Sequence, residues 1–115
     1  YRARLRDPRA LDDLLSERSA AYRGLDAVIL ENVVLKELHG MSEDDIAAKR
    51  GLSYISNLEG AIGSVQDGRA DCAFVLRPTP VEQVREVAAA GETMPPKSTY
   101  FFPKLLTGIV FNPLS

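Results

Sequence analysis

The sequence predicts a small α+β (or α/β) domain: a small sheet with a βαβ-type unit, packed with several helices and closed by a hairpin-like arm. Three observations predict it. Strand-like apolar runs alternate with helix-like segments along the chain. Two capping boxes open helices in its second half. Apolar residues make up 45% and charged residues 26%, the balance of a globular domain. The 115 residues are read as one domain, 1–115, with one core. The chain starts at Tyr1 without an initiator Met, so it is taken as a C-terminal fragment of a larger protein.

Tyr1 to Arg6 alternates Tyr1, Ala3 and Leu5 with Arg2, Arg4 and Arg6, the period of a half-buried strand. Asp7-Pro8 marks a turn, and a short helix follows through Leu15. Leu25 to Leu38 is apolar nearly all round, which predicts a central, buried helix ended by Gly40, with His39 in its last turn. Ser42 opens the next helix, and Glu43, Asp44 and Asp45 suit the positive end of its dipole. It closes near Gly51. Leu52 to Ile55 reads as a short strand. Ser56-Asn57-Leu58-Glu59 is a capping box for a helix that runs to about Asp67 and stops at Gly68. Cys72 to Leu76 reads as a buried strand ended by Pro78. Thr79-Pro80-Val81-Glu82 is the second capping box, with Pro80 at the first helical position. Val84, Val87 and Ala88 give that helix its inner face, and Gly91 its stop. Ile109 to Asn112 is a final short strand of the closing arm.

Composition excludes several function classes. The net charge is -2 and the pI about 5.4, which argues against nucleic-acid binding. No apolar run approaches the roughly 20 residues that span a bilayer, and no leader is visible, so a cytoplasmic location without membrane contact is expected. One cysteine, Cys72, excludes an internal disulfide. One histidine, His39, leaves a Cys/His zinc site without ligands. Cys72 reads as a buried strand residue, and His39 as a helix C-terminal residue; a Cys–His nucleophile pair would need them to meet. The residues specify no cofactor.

The densest chemistry lies in Met94 to Lys104, MPPKSTYFFPK. Lys97 and Lys104, with hydroxyls from Ser98, Thr99 and Tyr100, suit a phosphate or carboxylate, and the prolines lower the entropy cost of holding them. The bland alternative is a solvated loop flanking a core strand. Gly91 to Ser98 also approaches a phosphate-cradling loop, G-x-x-x-x-G-K-S, but Pro96 replaces the glycine that matters. It offers no N–H and cannot take positive φ. Arg77 ends a strand beside a helix start, where α/β sheets place ligands. Arg2, Arg4 and Arg6 read as a solvated strand face, Asp26 as a helix cap, and Glu43 to Asp45 as a helix N-terminus rather than a metal site.

Ala73-Phe74 through Leu114 resembles the C-terminal end of domain-of-unknown-function family 1015, found in bacteria and archaea. The matching pieces are Arg77 to Val84, Gly91 to Lys104 and Thr107-Gly108, with Leu25-Asp26 and Leu30 similar to the start of the family's central helix. Two positions depart from the pattern: Glu31, commonly histidine, and Pro96, often glutamine. The resemblance implies an upstream Asp-Gly-His-His-Arg motif similar to the nucleotide-handling signature of the ParB and sulfiredoxin-like superfamily, some of whose members phosphorylate free serine. This chain lacks that motif, so a phosphotransfer centre would lie in a missing N-terminal domain.

Two functions are expected on this basis. The first is an accessory domain of a phosphotransferase-like protein, without a complete active site, binding an anionic small molecule through Lys97, Ser98, Thr99, Tyr100, Lys104 and Arg77. The second is a non-catalytic interaction module that docks onto the N-terminal domain or forms a homodimer. Its motive is the aromatic run Tyr100 to Phe102, costly to leave exposed.

Overall fold

The structure, a computed structural model, describes residues 1–96, 98 and 99. Their architecture is helical, and no strand or sheet occurs among them. A 3-10 turn at Pro8–Leu11 leads to α1 (Ala20–Arg23) and α2 (Asp26–Ile29), which continues as a π-helix over Leu30–Leu38. Then follow α3 (Glu43–Ala47), α4 (Leu58–Gln66) and α5 (Val81–Ala89).

The expected sheet and its βαβ unit are therefore corrected. Tyr1 to Arg6, Leu52 to Ile55 and Cys72 to Leu76 carry strand-like patterns but no regular structure. Residues 53–56 and 71–79 make no backbone–backbone hydrogen bond to any described residue. A strand is defined by the neighbour it pairs with, and here no described segment is that neighbour. Cys72, expected in the core, is exposed. The predicted arm at Ile109 to Asn112 lies outside the described residues.

Local signals explain the helices. Ser42 and Asp45 form a reciprocal capping box on α3: the Asp45 N–H donates to Ser42 Oγ at 3.1 Å, and the Ser42 N–H to Asp45 Oδ2 at 3.2 Å. The cap of α4 is Asn57 rather than Ser56, with Oδ1 accepting from the Gly60 N–H at 2.6 Å. Gly60 has its reason here, because a Cβ would lie 2.9 Å from that oxygen and 3.1 Å from Ile55. The chain leaves α4 through Gly68 and α5 through Gly91, both at positive φ. At α5 the cap position is Pro80, with no side-chain cap, because the Thr79 hydroxyl donates instead to the Ser98 carbonyl.

The π register of α2 also has a local cause. Asn32 Nδ2 donates to the Val28 carbonyl at 2.9 Å, the acceptor its own N–H would use in an α-helix. The backbone takes the next register, ending with the His39 N–H on the Val34 carbonyl. Such helices usually last a single turn; this one covers nine residues.

The core is one corner. Leu11, Leu25, Val28 and Val87 are buried, with Leu15, Ala21, Tyr22 and Met94 packed around Leu25, Val28 and Val87. α1 packs on both α5 and α2. Val87 is the inner face of α5 as expected, whereas Ala88 is exposed. The long apolar helix is only half buried: of Leu30–Leu38 no residue is fully covered, and Leu38 is 74% exposed.

Candidate functional site

Two concave features flank α2. The smaller, of about 160 Å³, lies at its N-terminus and is lined by Asp26, Arg77, Pro78, Thr79, Pro80 and Gln83. Asp26 is the first helical residue, not the cap; Leu25 takes the cap position without a side-chain bond. Its carboxylate accepts two hydrogen bonds from Arg77, from Nε and Nη2, both at 2.8 Å. That fork-to-fork pairing holds the Asp26 carboxyl below its ordinary value against an opposing push from burial, and it raises Arg77. An anion approaching Arg77 would meet a guanidinium with two of its nitrogens already engaged by a carboxylate. Arg77 does not end a strand, so the sheet-edge reason for expecting a ligand there falls away.

Thr79 links this corner to the lysine-serine segment, donating from Oγ1 to the Ser98 carbonyl at 3.2 Å. The Ser98 hydroxyl donates to the Pro95 carbonyl at 2.6 Å and closes a turn on which the Ser98 N–H also converges, at 3.3 Å. Ser98 and Thr99 are half-buried. Of the residues expected to hold a ligand, the fold thus brings Arg77 and Ser98 to one corner. Lys97, Tyr100 and Lys104 lie outside the described residues.

The larger cleft, of about 460 Å³, is lined by Glu31, Glu43, Ile46, Ala47, Lys49, Tyr54 and Pro96. Glu31 and Pro96 face the same space. Lys36 bridges Glu43 at 3.0 Å and Glu31 at 3.5 Å, and donates to Asn32 Oδ1 at 3.2 Å. Burial pulls its pKa down, but Glu43 and Glu31 outweigh that and hold it above the usual lysine value. Lys49, at φ 55°, lies 6.0 Å from the Tyr54 ring centre. Both carboxylates that line the cleft are thus paired with Lys36.

A further long-range tie among the described residues was missed in the sequence. Glu92 follows α5 and accepts from the Ser19 N–H with both oxygens at 3.2 Å, and from the Ser19 hydroxyl. Ser19 also caps α1, through Oγ and the Tyr22 N–H. The Ser19 hydroxyl, helped by Arg18 at 3.7 Å, holds Glu92 below its ordinary value. Ser19 before an apolar helix could have been read as a cap; nothing local points to Glu92.

Among the described residues no three His, Cys, Asp or Glu side chains converge as a metal site. No helix among them is long and apolar enough to cross a membrane. No protein family, curated protein or solved structure matches the chain.

Proposed function

We propose that this chain is a non-catalytic interaction module. The observation that carries this is the outward face of α4. Leu58 and Ile62, one turn apart, are exposed together with Tyr54 and Ile55, while Ser64 is the residue of that helix turned inward. Ser64 satisfies its hydroxyl on the Gly60 carbonyl at 2.9 Å. α3 and α4 have five and nine residues and make no substantial contact with another helix among the described residues. Helices that short are marginal in water without a packed face. Burial against a further protein surface supplies one.

The test combines binding of an apolar-surface dye with sedimentation over a range of concentrations. The module reading expects strong dye binding by the monomer, or association that removes it. A monomer that binds no dye at any concentration overturns the reading.

A second proposal is an anionic small molecule held by the Met94 to Lys104 segment, in an accessory domain of a phosphotransferase-like protein. The Thr79–Ser98 bond favours it, since it ties Ser98 of that segment to a residue two positions from Arg77. Inorganic pyrophosphate at a hundred times its Kd would then stabilise the protein by about 2.7 kcal/mol. A thermal midpoint unmoved by pyrophosphate, or moved equally in Lys97→Ala, counts against this proposal.

A further inference from the structure

The run Cys72-Ala73-Phe74-Val75-Leu76 is apolar, uncharged and free of proline, yet every residue of it is exposed, Val75 by 64%. Its backbone makes no backbone–backbone hydrogen bond to any described residue. Unpaired amides and carbonyls on β-favouring residues form a template for another strand. The flanking charges say which strand fits. Asp71 precedes the run and Arg77 follows it, both equally distant from Phe74. Asp71 has no ion-pair partner among the described residues. The Arg77 side chain is 76% exposed, and only its Nε and Nη2 are engaged by Asp26, leaving Nη1 to a further acceptor.

We infer that this run pairs antiparallel with the same run of a second copy of the chain, about a two-fold axis at Phe74; the inference rests on the interaction-module reading. In that register Asp71 of each copy stands opposite the partner's Arg77, so both ends of the pair are charge-matched by one symmetric operation. Phe74 stands opposite the partner's Phe74, an aromatic cross-strand pair. Cys72 stands opposite the partner's Leu76. In parallel pairing Asp71 would face Asp71, and Arg77 would face Arg77. Pro78, which has no N–H, limits the ladder on one side. A ladder this short makes a weak dimer, which a covalent trap reads better than a binding curve does.

The trap is a disulfide, formed by oxidising concentrated protein. Directly opposed residues have Cβ atoms about 5 Å apart, close to disulfide geometry. The two native Cys72 residues would be offset by four positions, about 13 Å along the strands, out of reach of each other. The expected result is that Leu76→Cys gives a dimer whose link maps between positions 72 and 76, while the unaltered protein and Val75→Cys, on the opposite strand face, give none. Asp71→Lys in the Leu76→Cys background sets like charges opposite each other and lowers the yield roughly tenfold. Linkage of the unaltered protein through Cys72 itself would mean parallel pairing and overturn the inference, as would equal linkage of Val75→Cys and Leu76→Cys. Absence of a 72–76 link also overturns it. If such protein still binds dye or associates by sedimentation, the interaction-module reading survives; if it does neither, both fall.

Discussion

The corner built from residues 7–29 and 77–94 differs from residues 42–76 in how its side chains are tied. In the corner the ties are long: Ser19 to Glu92 across 73 positions and Asp26 to Arg77 across 51. Arg23 adds a bond to Asp12 at 3.0 Å, and the Arg18 guanidinium lies 4.8 Å over the Tyr22 ring. The side-chain hydrogen bonds of residues 42–76 to described residues stay within seven positions: Glu43 with Lys36, Ser42 with Asp45, Arg50 with Asp45, Asn57 with Gly60, Ser64 with Gly60 and Arg69 with Asp67. One region is held by tertiary packing, the other by caps and turns. Local ties set where a helix starts and stops but do not bury its apolar face, so the second region keeps Leu58 and Ile62 in water.

Core truncation breaks the comparison most directly. Leu25→Ala removes a side chain that is 2% exposed and is expected to cost about 2–5 kcal/mol. Ile62→Ala, on the outward face of α4, is expected to change stability by no more than about 0.5 kcal/mol. Urea unfolding of both variants measures the contrast, and equal losses would show that α4 is packed as firmly as the corner.

The Ser19–Glu92 tie gives the next effect. Ser19→Ala removes the α1 cap and the hydroxyl on Glu92, at about 1 kcal/mol for the cap alone. Glu92 has its folded pKa lowered from 4.5. Its contribution is therefore fully present above the unfolded value and is lost as pH falls through the folded one, because the unfolded chain binds the proton first. As pH falls below about 4.5, the thermal midpoint should drop more steeply in the unaltered protein than in Glu92→Gln. Parallel curves would remove Glu92 from the account.

The Asp26–Arg77 pair gives the smallest effect. Its geometry is bidentate, but the arginine is largely solvated. A double-mutant cycle of Asp26→Asn and Arg77→Gln is expected to give a small coupling that shrinks with salt. A larger, salt-resistant coupling would mean that the corner around Arg77 excludes water.

Much of the helical framework was legible from single residues. Ser42 with the acidic turn after it, Gly68 and Gly91 mark ends that depend on nearby backbone groups alone. The start of α4 was read one residue early because Ser56 and Asn57 both suit the cap, and only Asn57 reaches the Gly60 N–H. Thr79 was misread because its hydroxyl has a tertiary partner in Ser98. The sheet was misread for a different reason. The pattern in Cys72 to Leu76 records what the segment would bury if paired, and no pattern within a segment states whether a partner is present. At the candidate site, Arg77 was picked out as a cation, but Asp26, the carboxylate that occupies it, is 51 positions away. Glu92 was invisible for the same reason.

The Ser19–Glu92 bond also bears on the order in which the chain folds. The caps at Ser42 and Asn57 close turns within a few residues, and such helical turns form in well under a millisecond. Bringing Ser19 to Glu92 closes a loop of 73 positions, at about 4 kcal/mol of chain entropy. α1 and α5 cannot meet across Val87 until that cost is met, so the corner is expected to assemble after the local caps. A chain caught before that step would have only its local caps and turns, its short helices still marginal, and would lack the contact between residues 19 and 92.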